Sequence, residues 1–277
     1  MDVWALQFPA ADGGTLRWQA VGARGDVPSP RYAAAVAVDP VAWKLYLFGG
    51  SAYDATLPPF NERGYSDFYE LDLATDTWTR LYDGNPDNSD PEHPSDRFNA
   101  SAAFDPVQRR FALYGGHMRI LHTDLNELWV YDVEAGTWSS STPTVAPRVL
   151  GALYSGSPLY LFSGIRELSG PSPSPLVELG FFRLDVGDAP AWTALNLSPE
   201  PRLRFGASAV ERDGVRYLHG GVWREGVAME ALRDTWRFAP DAGAWRLLSD
   251  GGVSAGVQVD GGSGLPSGRS FGTLIAR

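Results

Sequence analysis

Three observations on this 277-residue chain predict an all-β fold made of many short strands. Hydrophobic residues make up 44% and aromatics 12%, ample material for a core. The 31 glycines and 21 prolines are spread along the chain instead of gathering in one tract, as short strands joined by tight turns require. Finally, one unit of sequence recurs four times in order. All-β architectures of this length are commonly one domain, and residues 1–277 are read as one.

Each unit opens with an arginine and a strand of small residues. An aliphatic-aromatic strand ending in Gly-Gly follows, then a third strand and a tryptophan. The first copy runs Arg31-Tyr-Ala-Ala-Ala-Val-Ala-Val, Leu45-Tyr-Leu-Phe-Gly-Gly50, Asp67-Phe-Tyr-Glu-Leu-Asp72 and Thr77-Trp78. The second has Arg97-Phe-Asn-Ala-Ser-Ala-Ala-Phe, Phe111-Ala-Leu-Tyr-Gly-Gly116, Glu127-Leu-Trp-Val-Tyr-Asp132 and Thr137-Trp138. A more degenerate third copy reads Arg148-Val-Leu-Gly-Ala-Leu-Tyr, Leu159-Tyr-Leu-Phe-Ser-Gly164, Phe181-Phe-Arg-Leu-Asp185 and Trp192. The fourth is Arg204-Phe-Gly-Ala-Ser-Ala-Val, Val215-Arg-Tyr-Leu-His-Gly-Gly221, Asp234-Thr-Trp-Arg-Phe238 and Trp245. From Gly50, Gly116, Gly164 and Gly221 to the tryptophans is 28, 22, 28 and 24 positions, a constancy unrelated loops would not keep. Strands of alternating apolar and polar residues are expected to bury one face against the next unit, with glycines turning the chain tightly. The tryptophan is read as a packing wedge between units.

These marks resemble the kelch-repeat family over essentially the whole chain. The resemblance implies a β-propeller with one four-stranded blade per repeat around a central channel. Repeats at about 28–81, 94–140, 147–195 and 201–248 supply four blades. A fifth is expected from both chain ends, with 266–277 giving its innermost strand and 1–20 its third and outer strands. Six or more blades are the alternative if the chain is a truncated piece.

A formal charge of −10 argues against general affinity for nucleic acid or anionic membranes, which are bound through excess positive charge. Without cysteine, disulfides, thiolate metal sites and cysteine nucleophiles are excluded. The acidic start Met1-Asp2 lacks the pattern of a secretory leader, so a cytoplasmic, monomeric protein without cofactor is expected.

In kelch propellers the connections between second and third strands, and those between blades, emerge on one face that such proteins usually bind with. Here they are 51–66, 117–126, 165–179 and 222–233, with 82–96 and 249–268 between blades. Arg31, Arg97, Arg148, Arg204 and Arg269 start the innermost strands, and fivefold geometry would set them around the channel mouth. Guanidinium groups suit carboxylates and phosphates, and resembling propellers that serve ubiquitin ligases bind acidic motifs with such arginines. A non-catalytic module that binds a protein segment or acidic ligand is therefore expected. In the opposing reading, the arginines belong to the repeat and pair with local acids or carbonyls.

The alternative function is an enzyme acting on an anionic small molecule such as an acidic sugar. Related enzymes offer little match. The cross-linked cysteine of galactose oxidase has no counterpart, and the iron motif of plant specifier proteins is met only by Glu230 and Asp234, with Phe238 where its histidine belongs. Two further loops carry ligand-type residues. One is 82–96, with Asp83, Asp87, Asp90, Glu92 and Asp96, read as a solvated turn; the other holds His117, His122, Asp124 and Glu127, where a metal is weighed and not assigned.

Overall fold

The computed structural model describes residues 3–7, 17–57, 61–85, 87–119, 121–166, 180–225 and 228–250. Within them the four repeats form four antiparallel sheets, each ordered from an inner to an outer strand. Blade 1 comprises Ala35–Asp39, Lys44–Tyr53, Glu62–Asp72 and Thr77–Tyr82, and Arg24–Gly25 adds a short parallel edge beside Thr77 and Trp78. Blade 2 comprises Ser101–Asp105, Arg110–Tyr114, Leu128–Asp132 and Thr137–Ser141. Ala152–Tyr154, Leu159–Phe162, Phe181–Asp185 and Ala191–Leu195 make blade 3. Ser208–Arg212, Val215–His219, Thr235–Ala239 and Ala244–Ser249 make blade 4. The four inner strands neighbour one another in chain order, which produces the ring of a propeller.

The core lies between blades. In blade 2, Phe111, Leu113 and Trp129 pack towards Tyr46, Phe48 and Phe68 of blade 1. The alternate residues Ala112, Tyr114, Leu128 and Val130 pack towards Leu153, Leu159, Leu161 and Leu184 of blade 3. This corrects the expected apolar-polar alternation. A middle strand covered on both faces has no solvent side for polar residues, so both of its residue sets are apolar.

Each tryptophan packs against the preceding blade. Trp138 of blade 2 meets Phe48 and Phe68 of blade 1, with centroids 5.8 and 5.0 Å away. Trp192 of blade 3 lies 4.9 Å from Tyr114 of blade 2, and Trp245 of blade 4 lies 5.1 Å from Phe181 of blade 3. Trp78 of blade 1 is buried in a cluster that includes Val3. Val3 belongs to the hairpin Val3–Gln7 with Arg17–Val21, the expected third and outer strands of the fifth blade. The hairpin's place against blade 1 is thus described, whereas the expected innermost strand in 266–277 lies outside the described residues.

Backbone hydrogen bonds bind the inner strands into a girdle. Asn99 N–H donates to Ala33 C=O, Leu150 N–H to Asn99 C=O, and Gly206 N–H to Leu150 C=O, at 2.9, 2.9 and 3.0 Å. All four residues are left-handed, with φ of 54, 56, 57 and 63° for Ala33, Asn99, Leu150 and Gly206. A second row runs from the second glycine of each pair to the next arginine. Gly50, Gly116 and Gly164 donate to the carbonyls of Arg97, Arg148 and Arg204.

The first glycine of the pair is required by the same contact. A Cβ on Gly115 would stand 2.3 Å from the Arg148 carbonyl oxygen, at a left-handed φ of +67°. Gly136 has a similar φ of +70°, but the nearest atom to its Cβ position is 3.8 Å away. Gly136→Ala is therefore expected to cost about 1–2 kcal/mol of left-handed strain. Gly115→Ala should cost roughly 3 kcal/mol or more, because the inter-blade bond must open as well. Urea denaturation of the two variants checks the difference.

Candidate functional site

At the face from which the second-to-third strand connections leave, three blades carry projecting arms. In blade 1 the two middle strands run on as an arm paired from Gly50 with Tyr65 to Tyr53 with Glu62, beyond a bulge. Blade 2 has the short hairpin His117–Met118 with Thr123–Asp124, and blade 4 has Val222–Glu225 with Ala228–Ala231. In every blade the residue after the arginine bridges to the residue after the glycine pair or its Ser-Gly equivalent: Tyr32 to Ser51, Phe98 to His117, Val149 to Ile165 and Phe205 to Val222. The arginines thus stand at the roots of the connections.

The arginine side chains are turned into the protein. Arg31 forks onto the Asp67 carboxylate, donates to Gly49 C=O and lies 4.0 Å from the Tyr65 ring centroid. Arg97 donates to Glu127 at 2.8 Å and to the carbonyls of Gly115 and Ser95. Arg204 forks onto Asp234 and donates to the carbonyls of Gly220 and Arg202. Arg148 donates to the carbonyls of Ser163 and Ala146 and stands over Phe182. Side-chain exposure is 1% for Arg31 and 0% for Arg97 and Arg204. Arg269 lies outside the described residues. The observed partners are local acids and carbonyls, and an incoming anion would have to displace them.

Each carboxylate holds a second donor: Tyr69 Oη–H donates to Asp67, Trp129 Nε1–H to Glu127 and Trp236 Nε1–H to Asp234. Blade 3 departs from this at both positions together, with Gly180 in place of the acid and Phe182 in place of the donor. Its Ser163, in place of the first glycine, accepts the Arg204 backbone N–H through its hydroxyl. Burial pushes the Asp234 and Glu127 carboxyls up, but the facing arginine together with the Trp236 or Trp129 indole donor outweighs this and holds each one below the ordinary range.

Around these roots the face carries exposed apolar and aromatic groups. Tyr32, Tyr53, Leu121 and Met229 are 47, 73, 68 and 60% exposed. Arg202 lies flat on Trp223, 3.4 Å from the ring centroid, and is paired with Glu230. Between the arms of blades 1 and 2 lies a cavity of about 370 Å³ whose charged lining is Glu62, Arg63, Asp67, Asp83, Asp96 and Arg119. Arg63 is itself paired with Asp54.

The two loops singled out for ligand-type residues are internally bonded. Asp90 accepts from Tyr82, the Glu92 N–H and His93, while Asp96 accepts from Asn88 and the Arg119 N–H. His117 Nδ1 lies 2.7 Å from Asp124, both buried, and Glu127 is engaged by Arg97. No group of three or more metal-ligating side chains occurs among the described residues. No helix among them is long and apolar enough to cross a membrane.

Residues 9–164, more than half of the chain, match the model of the KLHDC2/KLHL20/DRC7 Kelch-repeats domain. The chain belongs to the Kelch-repeat family. Its relatives include Kelch domain-containing protein 10 of Xenopus tropicalis, 30% identical over 220 residues that cover 74% of this chain and 46% of the relative. The Homo sapiens protein of that name is 29% identical over 213 residues, covering 74% and 43%. The chain thus spans less than half the length of these Kelch relatives. A structure titled YjhT superposes with a TM-score of 0.65 at 15% identity, covering 99% of this chain and 81% of that one, which supports the fold. A Kelch-repeat domain of this kind is a protein-interaction module.

Because the folded pKa values of Asp234 and Glu127 lie below the unfolded ones of about 4, their contribution to stability is present above pH ~4 and fades as pH falls through the folded values. Lowering the pH from about 5 to 3 should reduce the denaturation midpoint. Asp234→Asn should be less stable at neutral pH and show a shallower loss over that window.

Proposed function

We propose that the domain binds an extended protein segment across the face formed by the arms of blades 1, 2 and 4. The observation that carries this reading is the set of exposed side chains there. Tyr32, Tyr53, Met229 and the stacked Arg202–Trp223 pair have the aromatic, Met and Arg character of interface hot spots, with Leu121 an exposed apolar neighbour, and Tyr53, Trp223 and Met229 stand on the paired strands of the arms. Such anchors are held in place before binding, which lowers the ordering cost of association.

The charge of the face favours a segment with a basic side chain. Of the four carboxylates lining the cavity between blades 1 and 2, Asp67 and Asp83 are paired with Arg31 and Arg80, which leaves Glu62 and Asp96 for an incoming basic group, and the chain as a whole carries −10. Less supports an acidic ligand held by Arg31, Arg97, Arg148 and Arg204, whose guanidinium groups are already donated to the protein.

The test is selection of peptides from a random display library against the whole chain, followed by affinity measurement on variants. Tyr53→Ala and Met229→Ala should each weaken a selected peptide by about tenfold, the scale of an interface hot spot. Val107→Ala, 77% exposed in the turn between the first two strands of blade 2, should leave it unchanged. Peptides sensitive to Val107 and indifferent to Tyr53 and Met229 would sink the reading.

A further inference from the structure

An unbroken run of blade 1, residues 62–67, lines the cavity of about 370 Å³ between the arms of blades 1 and 2. Successive side chains of a strand point to opposite faces of its sheet, so a cavity under one face would be lined by every second residue. Lining by consecutive residues means that the strand borders the cavity with its edge. The pairing agrees. The third strand of blade 1 is Glu62–Asp72, and the fourth accompanies it only between the pairs Phe68 with Tyr82 and Asp72 with Thr77. Past Tyr82 the chain leaves the third strand, and Asp83 and Gly84 form another wall of the cavity, with Asp96 and Arg119 of blade 2 completing it.

The direction of the backbone groups on this edge follows from the opposite side of the arm. Gly64 faces Ser51. Ser51 donates its N–H to Tyr32 C=O at 2.9 Å and accepts from Tyr32 N–H at 2.8 Å, so neither group is left for Gly64. In an antiparallel ladder, residues that turn both groups away from the partner strand recur at every second position. The N–H and C=O of Gly64 and Glu62 therefore turn towards the cavity. At the next such position, Ser66, the edge is closed, since the Asn85 N–H donates to Ser66 Oγ at 2.6 Å. The two free positions lie about 7 Å apart along the strand, and three residues of an extended chain reach both.

We propose that a bound protein segment adds as a strand to this edge of blade 1's arm, exchanging backbone hydrogen bonds with Gly64 and Glu62. The inference rests on the loop-face reading for the segment itself and adds its mode of attachment. A strand edge is a template for an incoming extended chain, whose main chain supplies affinity while its side chains supply selectivity. Charge decides the occupant. Glu62 accepts from Tyr32 Oη, and Asp96 from Asn88 and the Arg119 N–H, all uncharged donors. A segment carrying Lys or Arg within the paired stretch complements these carboxylates. A second copy of this chain, paired edge to edge, would bring Glu62 against Glu62 instead, and like charges opposite one another oppose pairing.

The probe is a peptide selected from the display library on the whole chain and weakened by Tyr53→Ala. Methylating its backbone nitrogens one at a time should cost about tenfold in affinity at every second position of the paired stretch, the scale of one lost backbone hydrogen bond, and little in between. That stretch should hold a Lys or Arg. Amide exchange of Gly64 should slow at least tenfold in the complex, while that of Val107, whose N–H is bonded to Asp105, stays as in the free chain. A peptide that depends on Tyr53 yet tolerates methylation throughout, has no basic residue in the stretch, or leaves Gly64 exchange unchanged would overturn strand addition and leave the loop-face reading standing. Gly64 protection that rises with concentration of the free chain would give the edge to a second copy and equally overturn it. A library without any binder that depends on Tyr53 would remove both.

Discussion

A buried guanidinium has to be neutralised and hydrogen-bonded where it lies, and that requirement organises each blade. In blades 1, 2 and 4 the arginine reaches a carboxylate on, or one residue before, the third strand of its own sheet, and in each of the four blades it also reaches a carbonyl at the strand-ending glycine pair or its equivalent. Its backbone carbonyl meanwhile receives the preceding blade's second glycine in three successive cases. One residue therefore ties strand to strand within a sheet and sheet to sheet around the ring. The glycines answer the same constraint, because a side chain on Gly49 or Gly115 would occupy the space of the next arginine's carbonyl.

Much of the architecture is legible in the residues because repetition reports it. Arginine, glycine pair and tryptophan fall in the same order four times, and each marks an inter-blade contact. The apolar-polar alternation misleads for a physical reason: Phe111 and Ala112 face different neighbours, and neither faces water. The partners of the arginines are the larger omission. Their signal is an acid two residues before an aromatic donor, in Asp67-Phe-Tyr69, Glu127-Leu-Trp129 and Asp234-Thr-Trp236, absent where Gly180 and Phe182 replace both. The girdle is harder to see, because Ala33, Asn99, Leu150 and Gly206 share a left-handed backbone and no side-chain chemistry.

The division of labour on the loop face follows from this. Charged groups at the roots are spent on the scaffold, while Tyr53, Leu121 and Met229 on the arms touch solvent and are free of scaffold duty. Variation in the arms alters what the face presents without disturbing the ring.

The girdle joins main-chain atoms at equivalent positions of adjacent blades, whatever side chains those positions carry. A unit cut from one arginine to the next is therefore the natural currency of duplication: a copy inserted in phase arrives with its own donor and acceptor and leaves both neighbours bonded. What then limits the exchange is the fit of the tryptophan wedge, since Trp138 is seated among phenylalanines and Trp192 against Tyr114. A lineage of such rings can grow or shed blades by recombination, and afterwards mend only the aromatic seams.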